Sequence, residues 1–131
     1  MAKKNTTSTK NEIERFHSWL ATEDPLSIAT HMYVDADAAF SAALLSVLKP
    51  KAQVVFVPAD SKIEDARTLG VDLSNGERTI KGMDVGSAFG LLVLSMKSID
   101  PPVYRALRSW AAQLNLTDSG KGCRDAVVLA E

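Results

Sequence analysis

A chain of 131 residues with 46% hydrophobic content is the size of one domain and can bury a core. Lys and Arg number 15 against 16 Asp and Glu, and the resulting net charge of −1 excludes a global bias toward nucleic acid or membrane. A single cysteine, Cys123, excludes an intrachain disulfide and a cysteine zinc cluster. That usage fits a reducing cytosol. No run approaches the length of a membrane span, and the start lacks the apolar core of a signal peptide. The expectation is a soluble cytoplasmic protein with no membrane partner.

Residues 1–10 are polar and read as a flexible tail before one domain over 11–131. From Asn11, a candidate cap, Ile13, Phe16 and Leu20 recur at helical spacing. His17 on this helix reads as a surface or packing histidine. Asp24-Pro25 ends the segment, because a residue before proline avoids the helical region. Leu26 to Thr30 is a short apolar strand, and Ala36 to Leu48 an Ala-rich helix broken by Lys49-Pro50-Lys51. Gln53 to Val57 is a β-branched run suited to a parallel sheet covered on both faces. The strand–helix–strand order predicts a right-handed βαβ unit. In the loop that follows, Asp60 reads as an outer ligand or as the cap of a short helix over Ile63 to Arg67. Lys62 reads as a solvated lysine or a phosphate contact.

Thr68 to Val71 is a brief strand, followed by Asp72 and an Asn75-Gly76 turn. Gly86 to Met96 is a helix, small at its start and then apolar. Gly86 and Ser87 read either as an anion seat at a helix N-terminus or as close packing. Asp100 and Pro101 open a helix to about Leu114, striped by Tyr104, Leu107, Trp110, Ala111 and Leu114. Asp118 lies in the Ser/Gly-rich loop after it, and Val127-Val128-Leu129 forms a last apolar element. The expected fold is α/β: a single domain with a small, mostly parallel sheet flanked by helices on both faces.

The chemistry concentrates after the first strand, where His31, Asp35 and Asp37 follow a His-x-x-x-Asp-x-Asp spacing. Open α/β sheets bind ligands outside the carboxyl ends of their strands. Two carboxylates and an imidazole suit a hard divalent cation such as Mn²⁺ or Mg²⁺. The chain has two histidines, His17 and His31, so a metal site must rest mainly on carboxylates. The same residues also read as N-capping aspartates beside a lone loop histidine.

The stretch resembles the first metal-binding motif of the DHH phosphoesterase superfamily, on His31, Asp35, Asp37 and the small Ser41 and Ala42. That superfamily includes RecJ-type exonucleases and family II inorganic pyrophosphatases. The resemblance covers roughly residues 26–122 and implies a DHH-like domain that hydrolyses a phosphoester or phosphoanhydride of a nucleotide or short nucleic acid. It implies one or two ions: one held by His31, Asp35 and Asp72, a second by Asp37, Asp72 and Asp118, with Asp72 bridging. Two such metals, about 3.5–4 Å apart, clamp the attacking and leaving oxygens. The chain departs from the family around Arg78 to Gly82, where the Asp-His-His signature is missing. Arg78 and Lys81 stand there as cations suited to phosphate. On this reading Asp37, Asp72 and Lys81 are catalytic, and Arg78, Lys81 and Ser87 bind substrate. The family's second, substrate-binding domain has no counterpart, so either the chain is a fragment of a longer protein, or a homo-oligomer or a partner chain supplies the missing wall. The alternative is a degenerate, non-catalytic module that binds a nucleotide or a protein partner.

Overall fold

The computed structural model describes residues 2–74 and 78–118, with side chains at 9–74 and 78–116. The chain is α/β, with four parallel strands and four helices. The strands are β1 (Ser27–His31), β2 (Gln53–Val57), β3 (Thr68–Val71) and β4 (Thr79–Ile80), in the order β2-β1-β3-β4. The helices are α1 (Ala2–Ala21), α2 (Ala36–Leu48), α3 (Ala88–Ile99) and α4 (Pro101–Asp118). Neighbouring strand residues point to opposite faces, and Ile28 and Ala29 are both fully buried, so β1 is covered on both sides. Helix α2 packs on β1 and β3, α1 reaches β3 and β4, and α3 pairs with α4. Phe16, Trp19, Ile28, Leu45, Leu69 and Leu92 lie in one core cluster. The Trp19 indole also donates to the Arg67 carbonyl at 3.0 Å, which ties α1 to the entry of β3. No helix among the described residues is long and apolar enough to cross a membrane.

Several boundaries differ from expectation: β1 lies one residue later than Leu26 to Thr30, and α3 runs over Ala88–Ile99 instead of Gly86 to Met96. Helix α1 begins at Ala2 rather than Asn11. No glycine or proline interrupts residues 2–21, so nothing in that stretch stops helix propagation. Helix α4 runs on through Asp118. The short helix over Ile63 to Arg67 does not form, so Asp60 caps none there. Asp65 is the reason: its carboxylate accepts from the Arg67 amide and the Thr68 hydroxyl, both at 3.0 Å. A side chain bonded to backbone two residues on closes a turn and competes with the helix. The expected Asn75-Gly76 turn and the Val127 to Leu129 element lie outside the described residues.

The Arg67 amide, then the Thr68 hydroxyl, hold the Asp65 carboxyl below its ordinary range. A depressed folded pKa stabilises the fold above the unfolded carboxylate value, and the gain is lost as pH falls through the folded one. The difference in thermal midpoint between wild type and Asp65→Asn should therefore be present at neutral pH. It should close as pH falls below about 4, a trend followed by circular dichroism.

Candidate metal site

Register brings the first two residues together. In the parallel β1–β3 pair Ala29 sits opposite Gly70, so two residues further on His31 meets Asp72. Asp72 leaves β3 with φ 57, a left-handed conformation that aspartate tolerates better than most residues. Its amide donates to the Ile80 carbonyl at 2.9 Å, which fixes the turn. His31 Nε2 lies 2.9 Å from Asp72 Oδ2. Asp35 arrives from the other side as the N-cap of α2, its Oδ1 accepting from the Ala38 amide at 2.9 Å. That oxygen stands 3.9 Å from His31 Nε2. Each of the three residues offers a ligand atom, all within 4.8 Å of one another.

The group lies at the carboxyl ends of the strands, where the sequence places it. It opens into a cleft of about 640 Å³ whose walls include Tyr33, Lys81, Gly82 and Met83. Tyr33 and Met83 are largely exposed, while the His31 side chain is only 12% accessible. Lys81 reaches across one wall, its Nζ donating to the Ser74 carbonyl at 2.9 Å.

Asp37, expected to share a cation with Asp72, is not among the three grouped residues. Its carboxylate is buried and faces the start of α3. It accepts from the Phe89 amide at 2.8 Å, the Ala88 amide at 3.0 Å and the Ser41 hydroxyl at 3.3 Å. A helix N-terminus presents unpaired N–H groups and positive potential, and here a carboxylate from within the chain meets both. Ser87 completes the cap by accepting from the Gly90 amide at 2.8 Å. It is buried, and its hydroxyl donates to Asn115 at 2.5 Å. Of the two readings of Gly86-Ser87, anion seat or close packing, the helix start does receive an anion, the carboxylate of Asp37. Both motif aspartates are caps, each for a different helix.

Arg78 is also displaced from its expected place. Strand β4 is only two residues long, with Arg78 before it and Lys81 after it. The two cations therefore sit at opposite ends of the strand, and Arg78 lines a different cleft with Arg15 and Lys62. Asp118 closes α4, three residues after Asn115, and its side chain lies outside the described residues.

Glu12 is the residue that the sequence reading missed. Its buried carboxylate accepts from the Lys81 amide at 2.9 Å and the Gly82 amide at 3.0 Å. Arg15, one turn on, donates to the Thr79 carbonyl at 3.0 Å. Arg78 and Ile80 turn their carbonyls toward β3, so Thr79 and Lys81 present theirs to the free edge. Helix α1 thus covers the outer edge of β4 with two side chains and holds the cleft wall. The signal was a charged residue one helical turn before Phe16 and two before Trp19, on the buried stripe. Gly82 itself has φ 63, and a Cβ there would stand 1.8 Å from the Ser87 carbonyl oxygen.

The two aspartates should separate by mutation. Asp37→Asn places a buried amide donor against two N–H donors and should cost about 2–3 kcal/mol in urea unfolding. Asp35→Ala should cost only about 1 kcal/mol as a lost cap. No family model matches this chain, and no curated protein and no solved structure matches it.

Proposed function

We propose that the cleft binds one divalent cation, Mn²⁺ or Mg²⁺, through His31, Asp35 and Asp72. We further propose that the domain is a metal-dependent phosphoesterase acting on a nucleotide or short nucleic acid. The observation that carries this is the convergence of three ligand residues, one imidazole and two carboxylates, on one open cleft. At a metal–ligand distance of about 2.1 Å, adjacent octahedral ligands stand about 3 Å apart and opposite ones about 4 Å. The His31–Asp72 distance of 2.9 Å suits adjacent positions, and the His31–Asp35 distance of 3.9 Å is within a small closing movement. The Ala38 amide orients the Asp35 carboxylate, which keeps lone pairs for a cation. Three protein ligands leave room for water and phosphate oxygens.

When bound, the cation supplies Lewis acidity toward a phosphoryl oxygen and acidifies a water. Lys81 lines the same cleft and provides a point charge for a phosphate. Tyr33 and Met83 offer exposed apolar surface at the rim, suited to a base. This reading keeps the resemblance to DHH phosphoesterases at His31, Asp35 and Asp72 and departs from it in metal count. A second copy or a partner chain would close the open side of the cleft. The single cysteine supports a cytoplasmic setting.

A second reading, a non-catalytic module that binds a nucleotide or a protein, is favoured by one observation. Asp37 is committed to the α3 cap, which takes a carboxylate from any second cation. Calorimetric titration of Mn²⁺ into chelator-stripped protein tests the site, with an expected stoichiometry of about one, lost in Asp35→Ala and Asp72→Asn. Hydrolysis of phosphodiester and pyrophosphate substrates then separates the readings. Mn²⁺-dependent turnover removed by Asp35→Ala selects the enzyme; binding without turnover selects the module; no binding overturns the metal site.

A further inference from the structure

We infer that the cleft between α1 and the segment 61–64 is a second binding site, one that takes a phosphate-bearing anion independently of any metal. It has a volume of about 430 Å³ and is lined by Arg15, Lys62, Ile63, Glu64 and Arg78. Three cationic side chains line it with the Glu64 carboxylate, and Asp65 lies close enough to feel the Arg78 charge, in a chain whose overall charge is −1. The lining keeps a net positive charge, which attracts an anion. Ile63 is the only aliphatic lining residue among those described, so the occupant is a hydrophilic anion and not a base or an acyl chain.

Two features favour phosphate over a simple carboxylate. A guanidinium presents a planar fork of donors that matches phosphate oxygens, and this cleft has two guanidiniums. Two forks and an ammonium also call for a ligand with more than one charge. Arg15 is part-buried and already held by its bond to the Thr79 carbonyl. That bond uses one of five N–H donors and lowers the rotamer entropy lost when a ligand binds. Arg15 and Arg78 also line a smaller recess with Ser18, Thr68, Trp19 and Leu69. Arg78 stands at the opposite end of β4 from Lys81, so the site is distinct from the His31 cleft.

Free pyrophosphate and the backbone of a single-stranded nucleic acid both carry this chemistry. The test titrates the full chain, in EDTA, with sodium pyrophosphate and separately with an oligothymidylate, followed by calorimetry. The variant Lys62→Gln/Arg78→Gln alters two exposed side chains, and Lys62→Gln alone is a milder second variant. Lys49→Gln/Lys51→Gln removes equal charge next to β2, across the sheet. Thermal midpoints confirm that each variant is folded. The expected result is saturable binding that weakens by about tenfold in the double variant, by less in Lys62→Gln, and not in the control. Pyrophosphate binding with this pattern assigns a free anion, and oligothymidylate binding alone assigns a nucleic acid backbone. Absence of binding by both probes overturns the site. So does wild-type affinity in the double variant, or equal weakening in the control.

Discussion

A buried carboxylate is costly, and Asp37 meets that cost with backbone donors. Burying an unpaired carboxylate opposes folding by several kcal/mol unless donors compensate. Two α3 amides, one hydroxyl and the helix dipole supply the compensation. Because Asp37 belongs to the first turn of α2, this interaction fixes the start of α2 against the start of α3. Asp35 sits two residues earlier, and Gly86 one residue before the α3 cap. The His31 cluster and the opposite cleft wall therefore take their separation from one side chain that faces neither of them.

The sheet is finished on its β4 side by an unusual means. A two-residue strand would present unpaired backbone groups at its edge, a template for unwanted pairing. Glu12 and Arg15 act there as a substitute strand, an acceptor and a donor reaching across from a helix. The same contact holds Lys81 and Gly82 at the cleft. Edge protection and cleft construction are thus one interaction.

What could be read beforehand followed the range of each interaction. Strands β1 and β2 and helix α2 announce themselves by local patterning, and the structure has β2 and α2 at the expected residues and β1 one residue later. His31 and Asp35 lie four apart and could be paired from spacing alone. Asp72 joined them only through the resemblance, because its contact depends on strand register across 41 residues. Asp37 was ambiguous for a chemical reason: a helix cap and a metal ligand call for the same side chain. Arg78 and Lys81 looked like neighbours because a two-residue strand leaves no periodic trace, yet it sends them to opposite ends. Glu12 could not be paired, since its partners lie 69 and 70 residues away.

Gly82 bears on how this cleft is able to change. Its carbonyl accepts from both the Val85 and Gly86 amides, and its own amide is held by Glu12. Backbone from Ser87 occupies the volume where a side chain would begin. No single substitution at this position can bring a second imidazole into the cleft without rebuilding the turn. The ligand inventory is thus set by main-chain geometry as much as by residue choice. For an evolving lineage or a designer, a new donor is easier to place on the Tyr33 or Met83 rim, where exposed side chains can be exchanged without moving the fold.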